Sequence, residues 1–187
     1  MTKLTIGVLL WSFTHFVPGL LPGLKRSLVS RVGENAWKGA FTLLMVLAIY
    51  FIISGWKAAV PESLYVPPAW GRHLTALLML VAFPLFFAPY PPNNFRRALR
   101  HPQLTAVALW GIGHLLANGE LRSVVLFGGL GAWALLEMWL INRRDGPRTP
   151  PAPAPRRNAV LLVVGGIVAY VVVAAAHQWL FGFSPFI

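Results

Sequence analysis

Cysteine is absent from the 187 residues, and acids nearly so: five Asp and Glu stand against 16 Lys and Arg. The first absence removes disulfide frameworks, thiol nucleophiles, cysteine zinc sites and covalent CxxCH haem attachment. Charge as a whole is scarce, at 11% of residues, about half the share of a soluble domain. Two-thirds of the chain is apolar once its 17 glycines join the 57% of hydrophobic residues, and mean hydropathy is +0.64. A disordered chain and an ordinary soluble enzyme are both excluded. The composition is that of an integral membrane protein, and it names no chemistry.

The net charge of +11 raises the question of nucleic acid, and its distribution answers it. Lys25, Arg26, Arg31 and Lys38 share one gap between apolar runs, and Arg96, Arg97 and Arg100 a second. Arg143, Arg144, Arg148, Arg156 and Arg157 share a third. Lys3, Lys57, Arg72 and Arg122 are spread over the N-terminus and the alternate gaps. Such alternation is the positive-inside bias of a polytopic protein. The cations read as orientation signals and contacts to anionic membrane lipids, with no nucleic acid among the partners.

A spanning helix needs about 20 mostly apolar residues. Six stretches fit that ruler: 4–21, 40–60, 73–88, 103–117, 122–141 and 159–181. The second, fifth and sixth are interrupted only by Lys57 and Glu137. The third and fourth are short, and Pro84 and Pro102 bend or end a helix there. The expected fold class is all-α, a six-helix transmembrane bundle forming a single domain, residues 1–187. Five spans with a re-entrant fourth segment is the alternative. Cytoplasmic placement of the cation-rich loops sets both termini on the outer side.

The first stretch, with Lys3 before an apolar run, has the look of a signal peptide. Pro18-Gly19 and Pro22-Gly23 follow it in place of a small-x-small cleavage site, so it is expected to be retained. Leu24, Leu28 and Val32 recur at helical spacing among Lys25, Arg26 and Arg31. That pattern predicts a helix over 24–37 lying in the cytoplasmic interface. Residues 143–157 hold five prolines between basic ends and read as an exposed cytoplasmic connector.

Ionisable side chains inside hydrocarbon are costly, so those present carry information. His73 and His177 fall near outer span ends, as interfacial anchors do, and His101 sits beside Pro102 at the cytoplasmic mouth of the fourth span. His15 and His114 lie within spans, six and eleven residues from the cytoplasmic ends at Leu21 and Gln103. At 1.5 Å per residue these are depths of about 9 and 17 Å. Trp11 and Trp110 each stand four residues earlier, on the same helical face. Gly111 and Gly113 remove bulk beside His114, and Ser12 and Thr14 offer oxygens near His15. Two readings remain open. Both imidazoles can be axial ligands of a b-type haem lying against Trp11, Trp110 and Gly111, with His15 and His114 on the metal. Alternatively each makes an interhelical hydrogen bond, with the glycines serving close packing.

Asn118 follows His114 by four residues and extends its face towards Glu120 at the outer end of the span. Glu137 is mid-span and must be protonated, paired with a histidine or Arg122, or open to water; a proton-relay role is the sharper reading.

The stretch from His101 to Glu137 resembles the NnrU family of bacterial membrane proteins. The likeness is carried by His101-Pro102, Gly113-His114-Leu115-Leu116 and Asn118-Gly119-Glu120. Thr14-His15-Phe16-Val17-Pro18-Gly19-Leu20, followed by Leu24-Lys25-Arg26 and Gly33-Glu34, looks like the same family's N-terminus. The resemblance covers nearly the whole chain, least in the connector and last span. Position 120 departs from it: the family tends to have Asp there, and Glu keeps the charge with a longer reach. The family is similar to zeta-carotene cis–trans isomerase of plants and cyanobacteria, which uses haem b. The resemblance implies a bacterial inner membrane location and haem b held by His15 and His114. It further implies an apolar polyene as ligand, His101 as an exchange ligand, and Glu120 and Asn118 as orienting groups. The family name comes from an association with denitrification and implies no settled reaction. A haem- or nitric-oxide-responsive factor without catalysis, and a cofactor-free assembly factor, are the other readings.

Overall fold

A computed structural model describes residues 1–185. Its helices are α1 (Thr2–Leu20), α2 (Pro22–Val32), α3 (Glu34–Ala58), α4 (Gly71–Phe87), α5 (Phe95–Ala98), α6 (Pro102–Ala117), α7 (Leu121–Ser123), α8 (Gly129–Asp145) and α9 (Arg156–Phe181). A π-helical turn, Val124–Gly128, joins α7 to α8, so the helix runs on from Leu121 to Asp145. Among the described residues there is no strand, and paired extended chain is confined to a Ser63–Glu120 bridge.

Each of the six apolar stretches is helical. Three helices are long and apolar enough to cross a membrane: α3 (25 residues), Leu121–Asp145 (25) and α9 (26). The pair α1 and α2 counts as a fourth if its 92° bend is taken as one broken span. The bend sits at Leu21, whose neighbour Pro22 keeps it out of the helical region (φ −125°, ψ 56°). With 17 and 16 residues, α4 and α6 rise only about 25 and 24 Å, short of a hydrocarbon core about 30 Å thick. Apolar side chains cover the outside of these helices; Leu43 of α3 and Leu161 of α9 are each 68% exposed. The protein is a membrane protein.

Local boundaries differ from the sequence pattern where glycine or proline acts. The helix expected over 24–37 stops at Gly33, whose φ of +85° suits a residue without a Cβ, and α3 begins straight after it. Glu34 then occupies the first turn of α3, where the helix dipole favours an acid. Pro84 lies in the last turn of α4 without ending it, whereas Pro102 opens α6 from its first position.

The chain divides into two compact units. The first, Met1–Val66 with Gly119–Gly146, packs α1 against α3 and α8. Glycine lets these helices touch backbone to backbone: a Cβ on Gly55 would overlap the main chain of Leu4, and one on Gly7 would lie 2.7 Å from the Ile52 nitrogen. The second unit, Pro67–Asn118 with the chain from Pro147 onward, packs α4 against α6 and α9. There a Cβ on Gly71 would meet the Leu116 carbonyl, and one on Gly166 would lie 2.6 Å from Pro84 Cα. Small residues at such crossings are how helices associate where lipid and protein are equally apolar.

Each unit has one cation-rich end. In the first, the ends of α1 and α8 lie together, with Gly19 against Leu140, beside α2 and the start of α3. In the second, the segment after α4 is tied to the start of α9. Asn94 exchanges two hydrogen bonds with the Ala154 backbone (2.9 and 3.0 Å), and Asn158 donates to the Pro92 carbonyl (2.9 Å).

Candidate functional site: two tryptophan–histidine turns

The same local device occurs once in each unit. On α1, His15 Nδ1 lies 2.9 Å from the carbonyl oxygen of Trp11, and on α6, His114 Nδ1 lies 2.9 Å from that of Trp110. A carbonyl only accepts, so Nδ1 carries the proton and donates. In the neutral ring the lone pair then belongs to Nε2. The indole of each tryptophan leans on its own histidine, with ring centroids 4.7 Å apart for Trp11–His15 and 5.3 Å for Trp110–His114. The i,i+4 spacing read from the sequence thus orients both imidazoles.

The surroundings are unalike. His15 is half-buried in an aromatic box, with Trp133 of α8 at 4.8 Å and Phe41 of α3 at 5.3 Å between centroids. Trp133 also meets Trp11 edge-on at 5.7 Å. Both indole nitrogens, Trp11 Nε1 and Trp133 Nε1, are buried without a hydrogen-bond partner, and so is Glu137 Oε2, one turn beyond Trp133. Two of the partners that the sequence offered are otherwise engaged: Ser12 Oγ donates to the Val8 carbonyl (2.8 Å), and Arg122 binds a different acid.

His114 stands among satisfied polar groups. Asn118 Nδ2 donates to its carbonyl (2.8 Å), which joins Asn118 to the histidine as the spacing suggested. Thr75 of α4 places its hydroxyl 2.5 Å from the Gly113 carbonyl and 2.8 Å from that of Gly71. A Cβ on Gly113 would lie 3.3 Å from Met79 Cε and Thr75 Cγ2, so this glycine serves the α4–α6 contact. Gly111 is buried, and Trp110 packs on the cluster of Met79, Ala82, Leu85 and Ala106.

The other sequence candidates fall elsewhere. His101 precedes the first residue of α6, where its carbonyl accepts from Thr105 N and Oγ1 (2.9 Å each). His114 comes thirteen residues later, about 20 Å along the axis, so the helix does not bring the two histidines together. Glu120 receives the Arg122 guanidinium (Nε to Oε2, 2.6 Å), and that buried guanidinium lies 4.6 Å over the Trp56 ring. The Gly119–Leu121 segment is pinned by Leu64 N to Gly119 O and Leu121 N to Glu62 O, both 2.8 Å. His73 is exposed, and half-buried His177 donates from Nδ1 to the Phe183 carbonyl (2.6 Å), which fits interfacial anchors.

Among the described residues no three His, Asp or Glu side chains gather as ligands for an ion. His15 and His114 are therefore single donors. Sequence reasoning missed Trp133 and Phe41 as neighbours of His15. The one available signal was the Trp133–Glu137 pair, which repeats the four-residue spacing of the two Trp–His turns.

No curated protein and no solved structure matches this chain. The family model described as NnrU protein matches residues 3–185, nearly the whole length, and the chain belongs to the NnrU family.

Proposed function

We propose that this protein holds haem b in the membrane through His15 and His114, as the likeness of its family to zeta-carotene isomerase implies. One observation carries the reading: in two separate helices an imidazole is fixed as the Nδ1–H tautomer by its own tryptophan carbonyl, with Nε2 as the ligating nitrogen. A hydrogen bond from the non-ligating nitrogen is the usual support of a metal-bound histidine. Two imidazoles would be enough protein ligands for haem iron, whose remaining ligands come with the cofactor. The unpartnered N–H groups of Trp11 and Trp133 fit as well, since a porphyrin's carboxylates are acceptors.

A bound haem would supply a redox-active metal, the chemistry that cis–trans isomerisation of a conjugated polyene would draw on. The chain's own part is to bind, orient and keep the site dry. Trp11, Phe41 and Trp133 fix the His15 ring, and Asn118 braces the turn that carries His114. Glu120, neutralised by Arg122, holds the outer end of α7 in place. His101, at the far end of α6, anchors that end. We further place α1, α4 and α6 across the bilayer with the three long helices, giving six spans in a bacterial inner membrane. Both termini are then periplasmic, because the cation-rich end of each unit is cytoplasmic by the positive-inside bias. Thinning of the bilayer or snorkelling accommodates the short α4 and α6.

The test is an absorption spectrum of the purified full chain, oxidised and then reduced with dithionite. His15→Ala and His114→Ala are each expected to lose the Soret band, with the helical circular dichroism unchanged. Full haem content in either variant overturns the pair as ligands. A second reading, a cofactor-free assembly factor, is favoured by the tight α4–α6 packing at Gly113. Colourless protein from haem-replete cells decides for it. Haem-loaded protein that leaves a cis-carotenoid unchanged in cells points instead to a responsive factor supporting denitrification.

A further inference from the structure

The bend between α1 and α2 opens a cleft of about 460 Å³, within the roughly 300–1,000 Å³ range of small-molecule sites. Lys25 and Arg26 of α2 and Arg144 at the end of α8 line it, with Val29, Ser30 and Glu34. Three cations and one acid line it; Glu34 has Lys38 as its ion-pair partner (3.4 Å) and Arg144 has Asp145, so Lys25 and Arg26 are the cations whose charge no acid in the cleft already answers. Arg144 is held in place by Asp145 (Nε to Oδ1, 2.6 Å) and by a longer contact from Nη1 to the Pro18 carbonyl (3.5 Å).

The rest of α2 says what kind of anion belongs there. None of its residues is buried, and Leu24, Leu28 and Val32 form an exposed stripe. At 100° per residue the stripe is centred roughly 130° around the helix from Lys25, Arg26, Val29 and Ser30. One face of α2 thus suits the acyl region and the other carries the cationic wall of the cleft. Leu20 and Leu21 are exposed at the bend itself, and in sequence they lie between Pro18 and Pro22, which line the cleft. A soluble anion would use the charge and leave these leucines idle, whereas a phospholipid uses both.

We infer that this cleft is a binding site for an anionic phospholipid: its phosphodiester lies among Lys25, Arg26 and Arg144, and its acyl chains run along Leu20 and Leu21. The inference is independent of any cofactor. The site seats the bent end of α1 on the leaflet, which makes the lipid a structural ligand of the first unit.

The experiment is a titration of the purified full chain in neutral detergent micelles with phosphatidylglycerol, phosphatidylcholine or inorganic phosphate, read by native mass spectrometry. Wild-type protein is expected to retain phosphatidylglycerol and neither of the others. A basic residue near an anionic lipid surface contributes about fivefold in affinity, so Lys25→Gln/Arg26→Gln should lose roughly twentyfold and Arg144→Gln about fivefold. Arg31→Gln, on the same helix but not lining the cleft, should stay within about twofold of wild type. Equal losses in Arg31→Gln would show diffuse charge and overturn the site. Equal binding of inorganic phosphate, or of phosphatidylcholine, overturns the choice of ligand. Lys25 is half-buried and Arg26 exposed, on a helix without buried residues, so their double variant decides the matter even if Arg144→Gln fails to fold.

Discussion

The two units are built from the same parts and finished differently. Each packs three apolar helices through glycine crossings, gathers cations at one end, and carries a tryptophan four residues ahead of a histidine that donates to its carbonyl. In the second unit the polar groups around that turn are satisfied by side chains, through Thr75 on Gly113 and Asn118 on His114. In the first, Trp11 Nε1, Trp133 Nε1, Glu137 Oε2 and Ser123 Oγ are buried with no partner. An unmet buried polar group costs about 1–3 kcal/mol, a large sum for a membrane bundle to carry without return. Among the described residues, the contrast points to the first unit as the one whose buried polar groups are left for something other than its own side chains.

Four substitutions, set against two controls, break or sharpen that contrast. The largest effect is expected where both units are alike. Gly55→Ala in the first and Gly166→Ala in the second place a Cβ against backbone and should cost about 3 kcal/mol or more, lowering the yield of folded protein. Gly39→Ala and Gly165→Ala meet nothing within 4 Å and should equal or exceed wild-type stability in the same detergent melts. A smaller effect separates the units. Thr75→Val removes a hydroxyl that bridges α4 and α6, and should destabilise by about 0.6–1 kcal/mol. The smallest has the opposite sign: Ser123→Ala deletes a fully buried hydroxyl that has no partner, and should leave stability unchanged or raise it by up to about 1 kcal/mol. A clear loss in Ser123→Ala, as large as that in Thr75→Val, would erase the difference drawn between the units.

The helices were legible because their signal is local. Apolar length marked all six stretches and cation runs marked one end of each unit, whereas the break at Gly33 was not read, and the helix expected over 24–37 ends there. The spacing of Trp11 with His15 and of Trp110 with His114 also sufficed to predict that each pair shares a face. Less legible were the short helices: sixteen or seventeen apolar residues fit a span, a re-entrant segment or a buried helix alike, and hydropathy does not rank them.

By itself the sequence determined that this chain lives in lipid, which apolar segments are helical, and which two histidines share a helical face with a tryptophan. Those outcomes follow from transfer free energies and backbone preferences that act over one or two turns. Only the tertiary structure decided that Trp133 stands beside His15, that Arg122 answers Glu120 and leaves Glu137 without it, and that Gly55, Gly71 and Gly166 carry the crossings. A helix that is apolar all round has no face that hydropathy singles out, because lipid and protein interior are equally favourable to it. Which faces meet is fixed by shape, where one methyl group more or less admits or forbids the contact.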